Sequence, residues 1–248
     1  MARYQIVLTY DGTGFSGSQR QKAKSRTVQG ELERALTKLG WQGKSVLLAG
    51  RTDSGVHASG QVAAFDHEWN HSLDELVSAL NSNLPIDMAV SAAKIAPDGF
   101  HPRFDATSRC YRYRLFCQPL RDPLRERYSW RLWPPPDAES LHKAAKFFLG
   151  KHDFAAFGSP PKPGSSTVRT VMKSEWTLHG DEWLFDVQAD GFLYRMVRKL
   201  AHVQVAVGQG RAEAQAIIEA LDGRPQGVPG GLAPANGLTL IAVTYPGD

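Results

Sequence analysis

Hydrophobic positions in the first half of the chain follow the two periods that strands and helices require. A period of two runs through residues 3–10 and predicts a half-buried strand. Helical spacing follows between Thr27, which can serve as N-cap, and Gly40, where a helix should end. Ser72 and Glu75 have the spacing of a capping box and predict the start of a second helix. The other strands predicted in this half lie at 45–49, 61–66, 89–95 and 111–117.

The second half uses the same two periods in a different order. It predicts helices at 138–149, from about Phe192 and at 213–221, a hairpin of strands at 171–178 and 183–189, and a last strand at 238–245. Because strands and helices do not alternate regularly, the expected fold class is α+β, with helices on one face of a largely antiparallel sheet. Three prolines at 134–136 predict a boundary between domains 1–133 and 134–248, with a rigid loop inside one domain as the alternative.

Composition restricts the class of protein. The 248 residues are 42% hydrophobic and 22% charged, which is typical of a soluble globular protein. No apolar run approaches the ~20 residues of a membrane span, and the first residues lack the layout of a signal peptide, so a cytoplasmic protein without a membrane segment is expected. The cysteines, Cys110 and Cys117, match neither a CxxC pair nor a zinc knuckle and are expected to be ordinary thiols. His57, His67 and His71 share no ligand spacing, so no metal is expected.

Basic residues are concentrated in a few places, although the net charge is only +4. Lys and Arg gather in segments 20–26, 101–131 and 192–211, and the compensating acids are expected elsewhere. Segment 101–131 has eight arginines against three acids, interleaved with aromatic residues. Arginines beside flat rings suit an RNA with unpaired bases, and a solvated strand edge is the alternative interpretation. The candidate RNA contacts from the three segments are Arg20, Lys22, Arg109, Arg112 and Arg195.

Residues 50–58 have no hydrophobic period, yet they bring an Arg, an Asp and a His within seven positions. The segment lies between two predicted strands, where a loop is held by scaffold on both sides. Asp53 could act as a nucleophile or general base and His57 as an acid, or Asp53 could cap a turn. The residues alone leave these alternatives open.

The same segment resembles a long signature of a known family. Residues 50–58, GRTDSGVHA, match the G-R-T-D-[AS]-G-V-H-A signature of the bacterial tRNA pseudouridine synthase A family. Ser18, Arg195 and Lys199 depart from the Trp, His and Asn that are usual at their positions. The resemblance nevertheless covers essentially the whole chain, with further matches at 10–13, 27–33, 104–113, 191–198 and 233–238.

The resemblance implies an isomerase that converts uridine to pseudouridine at positions 38, 39 and 40 in the anticodon arm of tRNA, with neither a cofactor nor a metal. It implies a homodimer in which both subunits complete each active cleft. It also implies the pseudouridine synthase fold, in which two similar α/β halves surround a central, largely antiparallel mixed sheet with flanking helices.

Roles for individual side chains also come from the resemblance. Asp53 is implied to be the nucleophile. Three routes stay open: its carboxylate attacks C1′ of the ribose, it attacks C6 of the ring, or it promotes an elimination. Arg198 matches the position whose cation keeps that carboxylate ionised. Tyr111 matches the residue that stacks on the target base, and it is a candidate to assist proton removal at C5. Arg51 matches the residue that enters the RNA stem and holds the nucleotide flipped out.

A few assignments keep two interpretations. Leu238 and Leu240 are candidates to line the uracil pocket, with burial in a core strand as the alternative. His57 is either an acid/base group or a structural hydrogen-bond partner, and Asp11 is expected to organise a turn. The competing functions are a non-catalytic protein that binds structured RNA, which has no need of a desolvated carboxylate, and a metal-dependent nuclease, for which the sequence lacks a carboxylate cluster.

Overall fold

A computed structural model describes residues 1–21 and 25–247 and defines their secondary structure. In chain order the elements are β1 (Ala2–Tyr10), α1 (Val28–Lys38), β2 (Leu47–Leu48), β3 (His57–His67), α2 (Leu73–Asn81), β4 (Met88–Ile95), β5 (Ser108–Cys117), β6 (Trp130–Leu132), α3 (Ala138–Lys146), β7 (Gly150–Asp153), β8 (Val168–His179), β9 (Glu182–Ala189), α4 (Met196–Gly208), α5 (Gln215–Leu221) and β10 (Leu238–Thr244). Short 3-10 turns lie at Gly12–Gly14, Arg125–Arg127 and Ala235–Gly237.

The chain divides into two compact units. Unit 1 contains Met1–Thr107 together with the C-terminal residues from Thr239, and unit 2 contains Ser108–Leu238. This division differs from the expected boundary after residue 133. The prolines at 134–136 lie inside unit 2, and β10 returns to unit 1 by pairing with β3, a long-range contact that has no local signal in the sequence.

Unit 1 is built on a mixed sheet. β1 lies between β3 and β4 and pairs with both in antiparallel fashion, β2 also pairs with β3, and β10 joins β3 in parallel with Thr239 opposite His57. Full burial of a Leu or Ile side chain stabilises a fold by about 1.5–3 kcal/mol. The fully buried side chains that anchor this unit include Ile6 and Leu8 of β1, Leu32 and Leu36 of α1, and Leu76 and Leu80 of α2.

Unit 2 contains strands β5 to β9 and helices α3 to α5. β9 lies between β5 and β8 in antiparallel pairing, β7 extends the sheet beyond β8, and β6 pairs in parallel with β5. Trp176 of β8 stacks on Phe185 of β9 with ring centroids 5.0 Å apart, and its indole N–H donates to Gln204 of α4 at 2.8 Å. α4 is held by a buried stripe that includes Met196 and Leu200.

The expected α+β class with a largely antiparallel mixed sheet and flanking helices is confirmed. Thr27 caps α1 by accepting the Gly30 N–H at 3.2 Å, and the capping box of Ser72 and Glu75 opens α2 with both of its hydrogen bonds. The predicted hairpin is present as β8 and β9. No helix in the described ranges has the length and hydrophobicity of a membrane span.

One predicted helix start is wrong. α4 begins at Met196 and not near Phe192, because Tyr194 forms an isolated β-bridge with Ser159 and Arg195 takes a left-handed conformation with φ 64°. Arg195 therefore does not share a helical face with Arg198. The short strands β6 and β7 carry too few residues for a period of two to reveal them.

Candidate active site

The segment that precedes Asp53 is held by the side-chain amide of Gln61. Gln61 lies in β3, is fully buried, accepts the Gly50 N–H at 3.1 Å through Oε1 and donates to the Gly50 carbonyl at 2.9 Å through Nε2. This pair of bonds copies the exchange that a neighbouring strand would make with Gly50. The amide therefore fixes the start of the loop to β3.

Ser18 makes the equivalent exchange with Thr52. Its backbone N–H donates to the Thr52 carbonyl at 3.0 Å, and its Oγ accepts the Thr52 N–H at 2.8 Å. The hydroxyl groups of Thr52 and Tyr10 are hydrogen bonded at 2.9 Å, and burial raises the pKa of Tyr10, so the phenol stays protonated. Ser18 stands where the resemblance leads one to expect Trp. Because Ser18 is fully buried, it places a hydroxyl group inside unit 1.

Asp53 begins a tight turn. The Val56 N–H donates to the Asp53 carbonyl at 3.2 Å, and Gly55 has φ 82°, a conformation that favours glycine. The Ser54 hydroxyl donates to the Phe15 carbonyl at 3.0 Å, which ties the turn to the segment after β1. Asp53 is half-buried and Arg51 is exposed.

His57 has the contacts of a structural residue. It is buried, and its Nδ1 accepts the Gly12 N–H at 3.0 Å while lying 3.2 Å from Asp11 Oδ1. A ring nitrogen that accepts a backbone N–H carries no hydrogen, so Nδ1 of His57 is bonded to Gly12 and forms no ion pair with Asp11. Asp11 itself accepts the backbone N–H and the hydroxyl of Thr13, as a turn-organising side chain does.

Glycine at position 12 permits this close packing. A Cβ atom there would lie 2.0 Å from the Val56 carbonyl oxygen, well inside van der Waals contact. The turn after β1 and the turn that carries Asp53 are therefore packed backbone to backbone.

In unit 2, Tyr111 lies on β5 opposite Val187 and is buried. Its ring meets the ring of Phe192 edge to face, with centroids 5.2 Å apart and an interplanar angle of 87°. Such a contact fixes the plane of the Tyr111 ring.

Arg198 lies in the first turn of α4 and ties the segment before β10 to that helix. Its Nε donates to the Ala233 carbonyl at 2.8 Å, and the Ala233 N–H donates back to the Arg198 carbonyl at 3.2 Å. The next residue, Pro234, accepts the Tyr113 hydroxyl at 2.8 Å.

Leu238 and Leu240 are both buried, with Leu240 opposite Ala58 in the pairing of β10 with β3, so burial in a core strand holds for both.

Several arginines of segment 101–131 form ion pairs, so the expectation that the acids lie elsewhere is wrong for Arg112, Arg114, Arg121, Arg125 and Arg131. Arg112 makes a bidentate ion pair with Asp186 at 2.7 and 2.9 Å, and Arg114 makes another with Glu182 at 3.1 and 2.7 Å. β9 brings both acids, which are distant in sequence, beside β5. Further ion pairs join Arg125 to Asp181, and Arg121 and Arg131 to Glu126.

The ion pair with Asp186 occupies Nε and one terminal nitrogen of Arg112, a predicted RNA contact. Desolvation would raise the pKa of Asp186, but the hydrogen bonds and charges of Arg112 and Lys173 outweigh it and hold that pKa below its ordinary value. Lys199 is also occupied, because its Nζ donates to the Pro229 carbonyl, and burial lowers the pKa of Lys199. Basic residues of these segments thus stabilise the fold.

The remaining predicted RNA contacts differ in their surroundings. Arg20 pairs with Glu33 at 2.6 Å, Arg109 donates to the Asp190 carbonyl at 3.0 Å, and the guanidinium of Arg195 lies 4.7 Å from the centre of the Tyr194 ring. Lys22 lies outside the described residues. Arg20 and Arg109 therefore keep only part of their hydrogen-bonding capacity for a ligand, whereas the contact of Arg195 is with the face of a ring.

Two further predictions concern thiols and metals. Cys110 and Cys117 are free and half-buried, and burial raises the pKa of Cys117 to about 11, as suits unreactive thiols. Among the described residues, no group of three or more His, Cys, Asp or Glu side chains is placed to hold a metal ion.

Sequence reasoning did not assign a role to Tyr10, Ser18 or Gln61. The period of two in β1 marks Tyr10 only as an apolar position, and the predicted strand 61–66 starts at Gln61, whereas β3 begins at His57. A buried amide at a strand position is a signal for such a role, but its partner is visible only in three dimensions.

Comparison with known proteins gives consistent matches. A family model described as tRNA pseudouridine synthase matches residues 6–105 and 144–246. The chain is 42% identical over 246 residues to tRNA pseudouridine synthase A of Methylacidiphilum infernorum, covering 99% of this chain and 96% of that protein. It is 40% identical to the protein of the same name from Limosilactobacillus fermentum, covering 99% and 96%, and 36% identical to that of Pseudomonas aeruginosa, covering 100% and 87%.

A search of solved structures matched a chain of a Cbf5-Nop10-Gar1 complex. The match covers 82% of this chain and 44% of that one, at 11% identity and a TM-score of 0.35, which is too low to support an argument.

Proposed function

The chain belongs to the tRNA pseudouridine synthase family and is an isomerase of uridine in tRNA, and from that premise we propose that it acts at positions 38, 39 and 40 of the anticodon arm. The proposal follows from the near-complete coverage of relatives named tRNA pseudouridine synthase A and from the GRTDSGVHA segment. It names the substrate sites that the family name leaves open.

Asp53 is the proposed nucleophile. The reaction leaves the composition unchanged: the N1–C1′ bond breaks, a C5–C1′ bond forms, C5 loses its proton and N1 ends protonated. An uncharged uracil is a poor leaving group, and a carboxylate that bonds to C1′ or C6, or that promotes an elimination, divides the step into easier ones.

One observation carries the assignment to Asp53. The backbone before this residue is fixed by buried side chains, the turn after it is packed on Gly12, and the carboxylate belongs to a half-buried residue. A preorganised group of this kind loses little freedom when it reacts, which is how enzymes lower barriers by orientation. A protein that only binds RNA gains nothing from fixing the backbone of an acidic residue that repels phosphates.

Arg198, Tyr111 and Arg51 are assigned supporting roles. Arg198 is the proposed cationic partner of the Asp53 carboxylate. Tyr111, whose ring plane is fixed by Phe192, stacks on the target base and assists removal of the C5 proton. Arg51 is exposed and enters the RNA stem, where it holds the nucleotide flipped out at a cost of a few kcal/mol.

The wider proposal includes the assembly and its location. The protein acts as a cytoplasmic homodimer in which both subunits complete each cleft, and Arg20, Lys22, Arg109 and Arg195 contact tRNA. Leu238 and Leu240 contribute to the wall of the uracil pocket from a buried strand. Light scattering at micromolar concentration checks the assembly, and a monomer with full activity contradicts it.

Replacement of the proposed nucleophile tests the function. Asp53→Asn should lower the rate of pseudouridine formation on the order of a thousandfold or more while tRNA affinity persists, because only the reacting oxygen is lost. Asp74→Asn, at an exposed position in α2, is the matched control and should keep full activity. Retained turnover in Asp53→Asn contradicts the assignment.

The substrate sites are tested with the same assay. Purified protein is incubated with chelator and with tRNAs that carry a single labelled uridine at position 38, 39 or 40, and the product is analysed for pseudouridine and for cleavage. Pseudouridine at these positions supports the proposal. Modification only at other positions contradicts the site choice, cleavage indicates a nuclease, and neither product indicates a binding protein.

A further inference from the structure

Tyr10, Ser18 and Gln61 form a set of buried polar side chains around residues 50–52, and we call these three side chains the polar clamp. Gln61 and Ser18 are fully buried, and Tyr10 is nearly so. Two of them bond to backbone groups and the third bonds to a side chain. All three lie in unit 1, as does Asp53.

Residues 50–52 are hydrogen bonded in the way of a short strand, with one partner at each end. Gly50 exchanges both backbone hydrogen bonds with the Gln61 amide, and Thr52 exchanges both with Ser18. Successive side chains of an extended segment point in opposite directions, so Thr52 points inward and Arg51, between the two bonded residues, is exposed. The arrangement fixes the path of the chain up to Asp53.

The hydrogen bonds of the Gln61 amide have a determined direction. Gln61 Oε1 accepts from Gly50, so Nε2 is the donor to both the Gly50 carbonyl and, at 3.4 Å, the Tyr10 hydroxyl. The Tyr10 hydroxyl is in turn hydrogen bonded to Thr52 Oγ1 at 2.9 Å, and either oxygen can be the donor. A chain of hydrogen bonds therefore runs from the amide through the phenol to the residue before Asp53.

Ser18 links this chain to the start of α1. Its carbonyl accepts the Gln29 N–H at 2.9 Å, and the carbonyl of the preceding Gly17 accepts the Val28 N–H at 3.3 Å. Gly17 has φ 93°, and a Cβ there would lie 3.0 Å from the Thr52 carbonyl oxygen. The loop before Asp53 is thus connected to a helix on one side and to β3 on the other.

We propose that the polar clamp positions Asp53 for its reaction, with Ser18, Tyr10 and Gln61 as positioning residues that do not contact the substrate. The proposal rests on the proposed function, because it takes Asp53 as the nucleophile. A displacement of about 1 Å in a reacting group can cost on the order of a hundredfold in rate. A loosened clamp should therefore lower turnover without weakening tRNA binding.

Two mild variants test the clamp from different sides. Ser18→Ala removes the acceptor of the Thr52 N–H, and Tyr10→Phe removes one hydroxyl while the ring stays. Each should lower kcat about tenfold while KM and the tRNA Kd change less than about twofold. Single-turnover rates with saturating tRNA measure the chemical step. If one of the two variants does not fold, the other still tests the proposal.

Ser174→Ala is the matched control. Ser174 is buried in unit 2, and its hydroxyl donates to the Ala145 carbonyl at 2.7 Å, so this variant also loses one buried hydrogen bond. It should lower Tm as much as Ser18→Ala does but leave kcat unchanged. The assays are run well below the Tm of every variant.

The outcomes separate the two proposals. A kcat within twofold of the starting protein in both Ser18→Ala and Tyr10→Phe overturns the clamp, and so does an equal loss of kcat in Ser174→Ala. If Asp53→Asn is inactive in the same experiment, the proposed nucleophile stands although the clamp fails. If Asp53→Asn turns over normally, the nucleophile itself is wrong and the clamp falls with it.

Discussion

The Asp53 loop and strand β5 both concentrate charged residues, but the structure places them in opposite settings. In the loop, buried polar groups hold the backbone, and Arg51 is exposed. In β5, register places Arg112 directly opposite Asp186, and a bidentate ion pair forms between their side chains. The comparison teaches that the setting of a charge on a strand is decided by its cross-strand neighbour, whereas a loop held through its backbone can leave a charged side chain such as Arg51 exposed.

The largest expected effect comes from breaking the support of the loop. Gly12→Ala places a Cβ against the Val56 carbonyl, so the two turns must separate. We expect the free energy of unfolding to fall by about 3 kcal/mol, measured by denaturant titration, together with most of the activity. Gly230→Ala is the control, since a Cβ there meets nothing within 4 Å, and an equal loss in both variants contradicts the interpretation.

A smaller effect, on tRNA affinity, should distinguish Arg51 from Arg112. Arg51→Ala should weaken tRNA binding about tenfold, because an exposed guanidinium is lost from the proposed RNA contact. Arg112→Ala should change the Kd less than about twofold, because its guanidinium is committed to Asp186. Filter binding at a fixed salt concentration measures both, and a larger loss for Arg112→Ala would restore that residue as an RNA contact.

The smallest effect concerns pH. The pKa of Asp186 lies below its ordinary value of 3.8 in the folded protein, so its ionised form stabilises the fold. This contribution is fully present above the unfolded pKa and is lost as pH falls through the folded pKa. Asp186→Asn should therefore be less stable than the starting protein at pH 5 and above, by about 1 kcal/mol for a partly exposed pair.

Below about pH 4 that difference should shrink, as the carboxylate of the starting protein takes up a proton. Denaturant unfolding between pH 3 and pH 7 measures it. Asp181→Asn removes the partner of Arg125 at an exposed position and should show a weaker trend. A stability gap for Asp186→Asn that stays constant down to pH 3 contradicts the role of the ion pair.

The accuracy of the sequence-based interpretation depended on the range of the interactions. The cap at Thr27 and the capping box at Ser72 were predictable, because each joins residues three apart in the chain. The start of α4 was not, because Tyr194 pairs with Ser159, a residue 35 positions earlier. The candidate nucleophile was found from a contiguous signature, whereas its support from Ser18 and Gln61 was not.

The sequence by itself determined the local elements, the α+β class and the segment that carries Asp53, since periodicity, capping and a contiguous motif all act over short distances. The tertiary structure decided that β10 returns to unit 1, that Asp186 and Glu182 occupy the arginines of β5, and that a polar clamp holds the Asp53 loop. Each of these depends on which distant residues the pairing of strands brings within hydrogen-bond distance, and no local pattern encodes that pairing.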